Sequence, residues 1–218
     1  VALQNLPVVL CLDRAGLVGA DGATHHGAFD LAFLRCIPNI ILAAPLNEEE
    51  LRNMMYTAQL PDKGPFAIRY PRGNGYMAEW RTPFKELEIG RGQCLCEGGK
   101  VAVVSIGAIG NVALNAIRRF PEGTVSLYDM RFLKPIDEEL LEEVFQKHNR
   151  VITLEDGCIT GGLGDAVIEY MTAHGHQATV VRMGIPDKFV EHGTTQQLRA
   201  ECGFDEENIY GKISDLLN

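Results

Sequence analysis

The stretch "PVVLCLDRAGLVGADGATHHGAFDLAFLRCIPNIILAAP", residues 7–45, decides the fold. It opens and closes on strand-length apolar runs, "PVVLCL" (7–12) and "NIILAAP" (39–45). Between them lies "AFDLAFLRCI" (28–37), apolar at helical spacing and preceded by a loop, 13–27, that carries four glycines. Strand, loop, helix, strand is the repeating unit of a parallel sheet. Its strands are apolar throughout because helices cover both faces.

The alternation continues outward. Asn47 precedes "EEELRNMMYTAQL", and Glu50 three residues on completes a capping box. "PFAIRYP" (65–71) is a third strand, ended by Pro71. Residues 73–100 break the rhythm and read as a linker leading into a short strand around 88–95. A second α/β unit follows. Strands at 101–107, 125–130, 150–156 and 178–185 alternate with the helical stretches "NVALNAIRRF", "EELLEEVFQKH" (capped by Asp137) and "GGLGDAVIEYMTAHG". Two further helical stretches, "TTQQLRAECG" and "IYGKISDLLN", close the chain. The predicted division is a first unit over 1–78, a linker over 79–95 and a second unit over 96–218. A three-stranded parallel sheet leaves an edge and a face open. The first unit is therefore expected to be truncated, or completed by another chain. The second is expected to fold by itself and to make no essential catalytic contact.

The chain has 218 residues, 22% charged and 46% hydrophobic, as in an ordinary globular protein. A net charge of −9 argues against non-specific attraction to nucleic acid or anionic membrane, though local arginines can still hold a small anion. No apolar run reaches the ~18 residues of a membrane helix, and no signal or transit segment is visible. A cytoplasmic location is expected. The six cysteines form no CxxC pair and are expected to be buried, reduced thiols.

Ligands of parallel α/β sheets bind beyond the carboxyl ends of the strands. Loop 13–27 sits at such an end, and so does "RYPRG" (69–73). Together they bring Arg14, Asp21, His25, His26, Arg69 and Arg72 to one sheet edge. Arginine offers a planar fork to phosphate, and histidine moves protons near neutral pH. A phosphorylated small substrate and a proton-transfer step fit this set. The competing reading is a polar loop whose arginines pair with nearby carboxylates.

The motifs "DRAGLVGADGATHHGAFDLAFLRCIPN" and "RYPRGN", with "LEDGCITGGLGDAV" later on, resemble the 1-deoxy-D-xylulose-5-phosphate synthase family, thiamine-diphosphate enzymes related to transketolase. The resemblance implies an α/β fold: a truncated parallel-sheet pyrimidine-binding domain, then a transketolase C-terminal-like α/β domain. It implies a transferase that condenses pyruvate with glyceraldehyde 3-phosphate, with loss of carbon dioxide. The product, 1-deoxy-D-xylulose 5-phosphate, is a precursor of isoprenoids, thiamine and pyridoxal. On matching positions, Arg14 and Arg72 would bind the phosphate. His25 would stand beside the cofactor's reactive carbon and shuttle protons to substrate oxygens, and Asp21 would contact the acceptor's hydroxyl. Arg69 is expected to be structural, and His26 receives no role. The family holds the cofactor's diphosphate and magnesium through a "GDG…N" motif that this chain lacks, and its activating glutamate lies upstream of Val1. The chain is thus expected to be the C-terminal portion of a homodimeric enzyme. Thiamine diphosphate and Mg²⁺ would belong to the complete enzyme and to the missing N-terminal portion, and this chain alone would be inactive.

Transketolases carry Ser-Arg-Gln where this chain has "PRG", and the β subunits of 2-oxoacid dehydrogenases share the layout but not the loop. A stand-alone binding or regulatory module is the non-enzyme alternative. "GGLG" (161–164) could bind an anion at a helix start, but close packing is favoured. Glu155 and Asp156 are expected to cap the following turn, and Asp21 with the two histidines makes a weak metal set. His148, His174, His176 and His192 are expected in surface or capping roles.

Overall fold

The computed structural model describes all residues, Val1–Asn218. The first unit contains β1 (Val9–Leu12), α1 (Asp30–Arg35), β2 (Ile41–Ala43), α2 (Glu48–Ala58) and β3 (Phe66–Arg69). β1 and β2 both pair parallel with β3, as the crossover pattern requires. Asn47 caps α2 by accepting the Glu50 backbone N–H at 3.0 Å.

The second unit is a five-stranded sheet in the order β4-β6-β5-β8-β9. Its strands are β4 (Gln93–Cys96), β5 (Val101–Ile106), β6 (Val125–Asp129), β8 (Arg150–Cys158) and β9 (Thr179–Ile185). All but β4 run parallel. The covering helices are α3 (Ile109–Ile117), α4 (Glu138–Lys147), α5 (Leu163–Ala173), α6 (Thr195–Glu201) and α7 (Glu206–Leu217). β5 and β6 are buried at every position, which is why both read as mostly apolar runs broken only by Ser105, Ser126 and Asp129.

One strand escapes the sequence pattern. β7 (Phe132–Lys134) follows β6 after two residues but leaves its sheet and pairs antiparallel with β2. The first sheet therefore has four strands, β1-β3-β2-β7, the last supplied by the second unit. Arg131 makes the corner in a left-handed conformation, φ 54°. Its guanidinium forks onto Glu50 of α2 at 2.7 and 2.9 Å.

The apolar cores are shared too. One cluster joins Leu31, Leu42 and Ala67 of the first unit to Val104, Ile106 and Leu141 of the second. Another buries Leu17 of the glycine-rich loop and Ala28 at its end among Val103, Leu154, Ile185 and Leu198. The linker is strapped along α2: Glu48 accepts from the backbone of Tyr76 and Met77, Asn53 from Lys85, and Thr57 from Leu87.

Two expectations change. No cysteine is buried; Cys11, Cys36 and Cys94 are exposed and the other three are partly so, all as free thiols. Cys11 lies on β1, an edge strand whose outer side nothing covers. His148 takes the capping role, ending α4 with its N–H on the Val144 carbonyl at 2.8 Å, but it is buried rather than on the surface, packed edge-on against Tyr128, and burial lowers its pKa.

Candidate active site

Loop 13–27 leaves the carboxyl end of β1 and folds back on itself. Gly27 donates its N–H to the Arg14 carbonyl at 3.0 Å, and Gly16 donates to the Gly27 carbonyl at 2.9 Å. The loop meets the neighbouring strand end where Ala15 donates to the Tyr70 carbonyl at 3.0 Å. Glycine is required at 27, where a Cβ would lie 2.3 Å from the Arg14 oxygen. A short 3₁₀ turn, Gly19–Asp21, then presents Asp21.

Arg14 and Arg72 converge on this acid from two loops. Arg72 Nη1 is bonded to Asp21 Oδ2, and Arg14 Nε stands 3.6 Å from the same oxygen. Arg14 Nη1 also meets Asp13 at 2.5 Å. Arg14 holds a left-handed backbone, φ 59°, and its Nε is buried without a hydrogen-bond partner. The hydrogen bond from Arg72 holds Asp21 below the ordinary carboxylate range; Arg72, His25 and Arg14 add charge attraction, and partial desolvation opposes them. His25 lies exposed on the same loop, its Nδ1 2.9 Å from Thr24 Oγ1.

The remaining two residues of the set bond to the protein's own backbone and side chains. His26 Nδ1 accepts the Val18 N–H at 3.0 Å, which places its proton on Nε2. Arg69 is 2% exposed; it pairs with Asp30 at 2.9 Å and donates to the carbonyls of Gly27 and Asp156 at 2.9 and 2.8 Å. It fastens the loop's end to the second unit and does not face a ligand.

Sequence reasoning missed what holds the loop from outside. The second unit, expected to make no essential catalytic contact, touches the loop through Asp156, near the end of β8. Asp156 accepts the Leu17 N–H at 3.0 Å and pairs with Arg199 of α6 at 2.6 Å. These partners lie far from the loop in sequence, and no local spacing signals them. Glu155, its neighbour, reaches past the turn it was expected to cap and accepts from Leu163 and Gly164 at the start of α5, at 2.9 and 3.0 Å. The close packing favoured for "GGLG" is present, since a Cβ at Gly162 would lie 1.9 Å from Glu155 and one at Gly164 2.7 Å from Arg182. Burial pushes Glu155 up to about 7 against those backbone donors.

The donor set does not fit a magnesium diphosphate. That group needs free carboxylate or amide oxygens around the metal. The two loops instead offer Arg14 and Arg72 with two acids already engaged by them, Asp13 by Arg14 and Asp21 by both.

Comparisons with known proteins agree with this architecture. The family described as "Transketolase, pyrimidine binding domain" matches residues 1–77, and "Transketolase, C-terminal domain" matches residues 90–209. A 1-deoxy-D-xylulose-5-phosphate synthase of Bacteroides thetaiotaomicron is 58% identical over 96% of this chain and 33% of its own length. Those of Porphyromonas gingivalis and Vibrio cholerae are 50% and 45% identical over the full chain, covering 34% and 35% of their lengths. The chain thus spans about a third of the curated relatives it matches. A solved "Split gene transketolase, inactive beta4 tetramer" superposes with a TM-score of 0.82 at 29% identity, over 100% of this chain and 68% of that one. With its two matched domains in this order, the chain belongs to the transketolase family, and the proteins it resembles along its length are 1-deoxy-D-xylulose-5-phosphate synthases.

Proposed function

We propose that this chain supplies the acceptor-phosphate and proton-transfer part of an enzyme that joins pyruvate to glyceraldehyde 3-phosphate, releasing carbon dioxide and forming 1-deoxy-D-xylulose 5-phosphate. One observation carries the reading: arginines from two loops of one sheet edge converge on a single carboxylate, with a histidine on the same loop. Arg14 and Arg72 take the phosphate through charge-assisted bonds. Asp21 neutralises both in the free state, so an arriving phosphate takes over contacts that Asp21 now fills. The displaced acid then accepts a hydrogen bond from the substrate's hydroxyl. Thr24 fixes Nδ1 of His25 and leaves Nε2 to exchange a proton with a substrate oxygen.

Thiamine diphosphate and Mg²⁺ are assigned to the rest of the full-length enzyme. That enzyme is a cytoplasmic homodimer in this reading, which the exposed Phe29, Phe33 and Phe189 support as contact residues. No helix of this chain is long and apolar enough to cross a membrane. The test is turnover by the full-length protein with both substrates, thiamine diphosphate and magnesium, read by carbon dioxide release and product mass. Equal turnover with an unphosphorylated aldehyde, or none with pyruvate, contradicts the reading.

A further inference from the structure

We infer that Asp156 and Arg199 are positioning residues for the reaction: an ion pair in the C-terminal unit that holds loop 13–27 in register for the acceptor. The inference rests on the function proposed above and adds two residues that touch no substrate.

Four observations converge on it. The Asp156 carboxylate divides its work, one oxygen accepting from Leu17 N–H at 3.0 Å and the other from Arg199 at 2.6 Å. The pair is enclosed, with side-chain exposures of 10% and 15%. The loop packs against Asp156 too closely for any side chain at Gly16, where a Cβ would sit 2.2 Å from Asp156 Cγ. Beside that contact the Leu17 side chain enters the core of the second unit, against residues that include Leu198 of α6. The loop is thus pinned at 16–17, between Arg14 and Asp21. Burial works against the Arg199 charge, but Asp156 and Tyr76 outweigh it and raise its pKa.

An ion pair this enclosed is a poor source of net stability. Removing either partner, however, leaves the other as a buried, unpaired charge, and removing the Asp156 carboxyl also leaves Leu17 N–H unmet. The displacement that follows falls on Arg14 and Asp21, and through them on the phosphorylated acceptor. The effect is therefore expected on the acceptor and not on pyruvate.

The test uses the full-length enzyme. Asp156→Asn keeps an oxygen for Leu17 N–H and loses the charge that holds Arg199. We expect kcat/KM for glyceraldehyde 3-phosphate to fall on the order of 10-fold or more, as misplacement of a reacting group does, with the KM for pyruvate changed less than about twofold. Arg199→Met should do the same and Arg199→Lys should recover part of the loss. In an Arg72→Ala background Asp156→Asn should add little, because the two act on one group. If Asp156→Asn fails to fold, Arg199→Lys against Arg199→Met gives the same reading. Equal changes in both KM values, or a lowered melting temperature with unchanged kcat/KM, would overturn the inference and leave the pair purely structural. An Arg72→Ala variant with normal acceptor KM would sink the proposed function instead, so the two failures are distinguishable.

Discussion

Asp21 is one acid between two cations, and that arrangement was half visible in the sequence. Arg14, Asp21 and His25 share one loop, and Arg72 follows a strand of the same sheet, so the parallel pattern alone brings them to one edge. Whether the arginines met a ligand or a carboxylate could not be read, because it depends on distances between loops. In the free protein they meet Asp21. His25→Ala in the full-length enzyme should lower kcat on the order of 10²-fold, the usual loss of an acid–base group; near-normal turnover in a steady-state assay would reduce it to a scaffold residue. A second acid serves stability. Asp129 is fully buried, and desolvation pushes its pKa up to about 7, against hydrogen bonds from Arg131 and Gln93. Its unfolded form ionises near the ordinary value, so between about pH 4 and 7 the unfolded chain has lost a proton that the folded one keeps. Its effect is to lower stability as pH rises through that window and to level off above it. Asp129→Asn should flatten the fall, measured by thermal melts from pH 5 to 8; an unchanged slope would contradict the assignment.

At the scale of elements, apolar periodicity located eight of the nine strands by their approximate place, because each is a short, largely apolar run between turn residues. β7 was missed for a physical reason. It has three residues, lies between a left-handed Arg131 and Pro135, and takes its pairing from β2, some ninety residues earlier. Caps were easier, since an N-cap bond is local. Asp137 does more than the local rule implies. It caps α4 through Leu140 N–H at 3.0 Å and also accepts Gly92 N–H at 2.8 Å, tying the linker's end to the helix. Asp137→Ala should cost about 2 kcal/mol, at the upper end for a cap because a second donor is orphaned. Urea midpoints compared at constant slope would show it; a change under about 0.5 kcal/mol would mean that water replaces both bonds.

At the scale of the whole molecule, the two units recognised by family comparison are not separate bodies. β7 crosses to the first sheet, Leu17 and Ala28 cross to the second core, and Arg69, Asp156 and Arg199 bind the reactive loop between them. The second unit is therefore the loop's support, a role invisible in a sequence where the partners stand more than a hundred residues apart. We keep the linker at 79–95 as a proposed boundary in sequence, with the fold continuous across it. The central claim is that this edge, so supported, binds the phosphate of a three-carbon acceptor. Arg72→Ala in the full-length enzyme tests it most directly, because Arg72 is exposed and its loss disturbs no core. The KM for glyceraldehyde 3-phosphate should rise on the order of 10-fold or more, as loss of a charge-assisted bond implies, while the KM for pyruvate stays the same. An equal rise for both substrates, or none for the aldehyde, would contradict it.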